Sequence, residues 1–251
     1  MADAILGFEE VVVAFGALRA VDGVTLAVPQ GERRAIIGPN GAGKTTLFNA
    51  TTGAITPTQG RIIFCGRNII RLPQHRRAAI GISRTFQITN LFPTLAVSDN
   101  LALAVRALTP RKFSLLGSQR LDGKEAARIE RALGAVHLLG RAHAPVNQLS
   151  YGEQRQLELA LALVGNPLLL LLDEPAAGLS PAERIIVGDI IRALPRDLTL
   201  VLIEHDMDLA LNLVDSVTCM HEGRILAEGA PDAIRRDARV QEVYLGKPRD
   251  A

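Results

Sequence analysis

Three glycines lie within Gly38-Pro39-Asn40-Gly41-Ala42-Gly43, and Lys44-Thr45-Thr46 follows at once. Glycines at this spacing let a backbone double back so that successive N–H groups converge on one point, while the lysine adds charge and the threonine a hydroxyl. That chemistry suits a polyphosphate, with Lys44 at its β- and γ-phosphates and Thr45 offering oxygen to Mg2+. A second group is Asp173-Glu174, directly after the five leucines of residues 168–172. Side chains alternate at a strand end, so Asp173 can face a metal's water shell beside Thr45 while Glu174 orients a water at the γ-phosphate. The third group, Leu149-Ser150-Tyr151-Gly152-Glu153-Gln154, opens a helical pattern with Ser150 and Glu153 spaced as a capping box. Gly152 in its first turn costs helix propensity but clears space over bare N–H groups, which suggests a second anion site.

These groups need elements to hold them. Residues 11–13, 24–28 and 34–37 read as strands, the last running into the glycine-rich loop, and a helix opens at Thr45-Thr46-Leu47. Residues 61–64 read as an edge strand, and 168–172, 198–203 and 217–220 as buried parallel strands or their antiparallel neighbours. Helix-period segments between them predict an α/β fold with a mostly parallel sheet. From 91 to 164 the strand signals vanish, and helical spacing dominates, as in 125–139. The expectation is one domain over 5–251 with a helical subdomain at about 88–165, in which 108–123 is a loop.

Charge names no ligand: 28 Lys+Arg against 26 Asp+Glu leave a net charge of +2, with no basic field for nucleic acid. A chain with 48% hydrophobic and 22% charged residues folds rather than staying disordered, and no apolar run is long enough to span a bilayer. The start, Met1-Ala2-Asp3-Ala4, lacks a basic segment before an apolar one, so the cytoplasm is the expected location. Cys65 and Cys219 read as small core residues, and His75, His137, His143 and His221 as surface or structural ones. Arg71, His75, Arg76, Arg77 and Arg84 read as a solvated basic face, with a membrane surface or a coupling helix as the sharper alternative.

In their order along the chain, residues 38–46, Gln87, 149–154, 168–174 and Ile203-Glu204-His205-Asp206 resemble the ATP-binding cassette (ABC) family. The resemblance covers nearly the whole chain. It implies a P-loop NTPase core of ABC type, an amino-terminal antiparallel β-subdomain, an inserted α-helical subdomain, and hydrolysis of ATP with Mg2+. By this resemblance 38–46 is the Walker A loop, Asp173 the Walker B aspartate, Glu174 the catalytic base and 150–154 the signature motif, with Ser150, Gly152 and Glu153 toward nucleotide. Gln87, in Arg84-Thr85-Phe86-Gln87, is similar to the glutamine that senses Mg2+ and the transport domain, and His205 to the switch histidine at the γ-phosphate. Phe15 resembles the aromatic that stacks on adenine, although it also suits a core.

Two places depart from the family pattern: Tyr151 and Glu153 stand in the signature, and Ser180 where an aspartate is common. Leu-Ser-Tyr-Gly-Glu-Gln-Arg, Ile-Glu-His-Asp-Met and Val243-Tyr244-Leu245-Gly246 resemble ATP-binding subunits of branched-chain amino acid importers, with urea and lipopolysaccharide transport ATPases also similar. The implied partners are transmembrane permease subunits and a second ATP-binding subunit, with a solute-binding protein indirectly and no nucleic acid. The implied location is peripheral, on the inner face of the cell membrane. Three rival readings are a DNA-repair ATPase, a small-molecule kinase and a module that holds ATP without turnover. The first usually carries a coiled-coil or zinc insertion between Lys44 and Leu149, and the second does not need the signature helix.

Overall fold

In this computed structural model, which describes residues 4–85, 91–108 and 122–245, two long strands come first, β1 (Ala4–Phe15) and β2 (Leu18–Pro29). There follow β3 (Arg33–Ile37), α1 (Lys44–Thr52), β4 (Gln59–Phe64), β5 (Arg67–Asn68), α2 (Gln74–Ala79) and β6 (Ile82–Arg84). Three helices come next, α3 (Val97–Leu108), α4 (Gly123–Ala135) and α5 (Tyr151–Leu163). The rest alternates: β7 (Leu169–Asp173), α6 (Pro181–Ala193), β8 (Thr199–Ile203), α7 (Met207–Leu213), β9 (Ser216–His221), β10 (Arg224–Gly229), α8 (Pro231–Arg236) and α9 (Ala238–Leu245).

The strands form two sheets. One is antiparallel in the order β2-β1-β4-β5, and the other runs β10-β9-β3-β8-β7-β6, parallel except for the edge strand β10. The larger sheet is covered on both faces, which is why β7 and β8 carry apolar runs without alternation. Leu169 and Leu171 pack with the antiparallel sheet and α1, whereas Leu170 and Leu172 pack with α5, α6 and the middle helices. Val201 and Ile203 on β8 divide from Leu200 and Leu202 in the same way. Period-two geometry thus turns one apolar run into two cores.

Elements run longer or shorter than the sequence reading where polar residues obscure the pattern. β1 and β2 extend well past their apolar kernels because the antiparallel sheet has a wet face, where Thr25 donates to the Glu10 carboxylate at 2.8 Å. β6 and β10 escaped notice, one being three residues long and the other an edge strand with Arg224 and Glu228 in it. The predicted helix at 125–139 stops at Ala135: His137 takes a left-handed φ of 61°, and Leu138 N–H returns to Leu133 C=O. In the predicted loop at 108–123, Asp122 caps α4 through a capping box with Glu125, and 109–121 lie outside the described residues.

Two readings are corrected. Cys65 is exposed in a turn between β4 and β5, at a φ of 47°, so only Cys219 is a core residue. The basic cluster is not one face. Arg77 is 1% exposed and donates to the carbonyls of Ala50 and Thr51 at the end of α1, while Arg84 turns inward to Asp173. The orphan carbonyls of a helix end explain why a guanidinium can be buried there.

Candidate active site

β3 delivers the glycine-rich loop at the carboxyl edge of the larger sheet, and α1 carries it away. Gly43 occupies the N-cap of α1 with a φ of 99° and supplies no side chain, so the first-turn N–H groups of the helix are left for an anion. Lys44 curls back, its Nζ donating to the carbonyls of Gly38 at 2.6 Å and Pro39 at 2.9 Å. Burial depresses the lysine's pKa, and the carboxylates of Glu174 and Asp173 oppose that shift. A cavity of about 470 Å3 opens over the loop. Asn40, Gly41, Ala42, Gly43, Lys44, Thr45 and Thr46 line it together with Phe15, Glu174 and His205. Phe15 is 52% exposed at its mouth, which rules out the core alternative for it.

The two carboxylates at the end of β7 have different surroundings. Glu174 takes a left-handed φ of 49°, its N–H held by Ile203 C=O, and its Oε1 lies 2.7 Å from His205 Nε2. Strained backbone at a side chain that faces a cavity is the pattern of a functional position. His205 leaves the end of β8, and its own N–H is fixed by Glu204, which also takes the N–H of Ala176. Burial pushes the Glu204 carboxyl upward in pKa, and these backbone N–H groups pull the other way.

Asp173, 1% exposed, receives Arg84 Nη2 on Oδ2 at 2.5 Å. Thr85 Oγ1 takes its N–H, and its Oδ1 is buried without a hydrogen-bond partner. That orphaned oxygen fits a divalent cation or its water. Among the described residues no group of three or more His, Cys, Asp or Glu could hold a metal. A lone carboxylate oxygen at Asp173 suits a cation that takes its other ligands from elsewhere than a protein cage. Gln87 lies outside the described residues.

Ser150 caps α5, its Oγ accepting Glu153 N–H at 3.2 Å while Glu153 Oε2 accepts Ser150 N–H at 2.8 Å. Glu153 is further paired with Arg141 at 3.1 Å. Gly152 N–H goes to Glu183 Oε1 at 3.2 Å, and a Cβ on Gly152 would sit 2.4 Å from that oxygen. The close approach this glycine permits is therefore filled by a carboxylate of the same chain, from the first turn of α6. Ser150, Gly152 and Glu153 line a small cavity with Glu183, apart from the cavity over Lys44. Arg84, Glu183 and Glu204 were missed as site residues; the signal for Arg84 is a charged residue on a short strand beside β7, and for Glu183 its capping-box spacing from Ser180.

Comparison with known proteins agrees over nearly the whole chain. Residues 21–177 match the profile of the ABC transporter family, and residues 224–250 that of the branched-chain amino acid ATP-binding cassette transporter. The high-affinity branched-chain amino acid transport ATP-binding protein LivG of Salmonella typhimurium is 38% identical, across 98% of this chain and 100% of that protein. A nucleotide-free ATP-binding cassette from an ABC transporter superposes with a TM-score of 0.85 at 29% identity, over 97% of this chain and 100% of that one. A cassette solved as a dimer in a post-hydrolysis state, bound to ADP and Pi, gives 0.74 at 25% identity, over 90% and 98%.

Proposed function

The chain belongs to the ABC transporter family as an ATP-hydrolysing subunit, and from that premise we propose that it powers a branched-chain amino acid importer by closing on a second ATP-binding subunit around ATP. The cargo is supported by the match at 224–250 and by the kinship with LivG, which do not favour a urea or lipopolysaccharide transporter. Placement on the inner membrane face follows from the permease such a subunit drives. No helix among the described residues is long and apolar enough to cross a membrane by itself. A cleft of about 480 Å3 beside Arg84 and Thr85, with Leu91, Phe92, Leu103 and Leu161 in its walls, suits an apolar segment of that permease.

The observation that carries the enzymatic reading is the placement of Glu174, against His205 and facing the loop of Lys44 in one cavity. Lys44 gives up its carbonyl partners to the β- and γ-phosphate oxygens, and the N–H groups at the start of α1 take the remaining charge. Glu174 orients a water and accepts its proton as the water oxygen bonds to the γ-phosphorus; the bond to the ADP oxygen breaks, leaving ADP and phosphate. His205 holds Glu174 in place and reaches the γ-phosphate. Phe15, at the cavity mouth, stacks on the adenine. Thr45 Oγ1 and Asp173 Oδ1 would hold Mg2+, with Gln87 as a third ligand, and the bound ion would supply neutralising charge to the phosphates. Ser150 and Gly152 line a separate cavity, so they serve the nucleotide of a second subunit paired head-to-tail.

Glu174→Gln tests this. The variant should bind ATP as wild type does, accumulate as an ATP-dependent dimer in size-exclusion chromatography, and lose about 10²-fold or more in turnover. Near-normal phosphate release would reject Glu174 as the base. Purification from the native membrane with its permease, followed by reconstituted uptake of leucine, isoleucine and valine, tests the cargo.

A further inference from the structure

We propose that Tyr244 is a positioning residue for nucleotide binding: its hydroxyl holds the first residue of the phosphate-binding loop, which makes the C-terminal helix a working part of the ATP site. The proposal rests on reading residues 38–46 as that loop. Gly38 leaves β3 where Ile37 still pairs with Cys219 on β9, and its φ of 145° presses it against β9, so that a Cβ would lie 2.2 Å from Met220 C=O. In that conformation the Gly38 N–H does not continue the ladder. It donates instead to Tyr244 Oη at 2.6 Å, across 206 residues of sequence. The carbonyl of the same glycine accepts Lys44 Nζ at 2.6 Å. The peptide planes on both sides of one Cα are thereby pinned, one by the tyrosine and the other by the lysine that must meet phosphate.

The helix that brings the tyrosine is itself anchored. Asp237 Oδ1 accepts the N–H groups of Arg239 at 2.9 Å and Val240 at 3.4 Å, and Val240 is buried in the core over which Tyr244 lies. Burial pushes the phenol up to about 12, so it stays a neutral hydroxyl able to accept a hydrogen bond. Were the ring only a core filler, phenylalanine would serve as well. A buried N–H facing phenylalanine instead would have no acceptor and would bear its full desolvation cost, so the loop would move to find one. A segment remote from the catalytic carboxylates thus reaches the loop through a single oxygen.

The experiment compares the full-length wild type with Tyr244→Phe and Lys44→Ala, reading Kd for MgATP, KM and kcat, and amide hydrogen exchange over residues 37–46. For Tyr244→Phe the expected result is Kd and KM raised about fivefold, the worth of one neutral hydrogen bond, with kcat within about twofold of wild type. Exchange should quicken in the loop and keep its wild-type pattern in the antiparallel sheet. If Kd and loop exchange in Tyr244→Phe match wild type while Lys44→Ala loses nucleotide, the tyrosine's role is refuted and the loop reading stands. A lower unfolding temperature with unchanged KM refutes it equally. Nucleotide affinity preserved in Lys44→Ala overturns the loop reading and this proposal with it.

Discussion

Replacing Arg84 by Met should cost about 3–5 kcal/mol of stability, because it strips one partner from a buried ion pair and leaves the other charge uncompensated. Arg84 and Asp173 meet at 2.5 Å with side chains 8% and 1% exposed. The same guanidinium donates to Asn49 Oδ1 at 2.6 Å and lies 5.7 Å from the ring centre of Phe48, so it joins β6 and β7 to α1. Methionine fills most of the space left by the arginine stem, which keeps the loss electrostatic rather than one of cavity formation. Asp173→Asn breaks the same pair from the other side with little change of shape. If the pair is the source, the double variant must cost less than the sum of the two singles by about 2 kcal/mol or more. Urea unfolding of the four proteins measures that coupling. Burial makes a further demand: the coupling must persist in molar salt, where exposed charges are screened within about 3 Å. Losses that simply add, or a coupling that salt abolishes, would refute the reasoning.

Glu183→Gln keeps an oxygen for Gly152 N–H but removes the negative charge that sits there. In a Glu174→Gln background it should tighten the ATP-dependent dimer by about two- to fivefold at low salt, an advantage that shrinks as salt rises, as light scattering would show. A weaker dimer would mean that the carboxylate supports the phosphate site rather than competing for it. Cys219 gives a pH test: burial pushes its thiol from 9.0 up to about 11, so the stability tied to the neutral thiol is complete below pH 9 and lost as pH climbs to 11. Cys219→Ala should remove about 2 kcal/mol of that alkaline fall in urea unfolding. An equally steep fall in the variant counts against it. Alkylation of the native protein at pH 8 should tag the exposed Cys65 and spare Cys219.

Much of the site is legible in the sequence because its parts are local. A glycine-rich turn needs only its own residues to expose N–H groups, and a carboxylate pair after five leucines announces a strand end by itself. Gly152 is legible as an anomaly, a glycine where helix propensity argues against one, but the neighbour that requires it is Glu183, in a helix that starts 29 residues later. The same limit hid β6 and β10, whose strand character comes from lying beside β7 and β9 rather than from their own composition.

The arginines make the point most clearly. Arg71 and Arg76 are exposed, Arg77 is buried and Arg84 half-buried with its side chain turned inward, yet all four are alike in a window of sequence. What separates them is whether acceptors wait inside: the carbonyls of Ala50, Thr51, Ile70 and Leu72 for Arg77, and the carboxylate of Asp173 for Arg84. A buried guanidinium is tolerable only when its donors find acceptors, and here a helix end and a strand end brought close by the fold supply several of them. A basic stretch beside a nucleotide loop is therefore two things at once. Its outer members belong to solvent, while Arg84 ties β6 to the carboxylate at the end of β7.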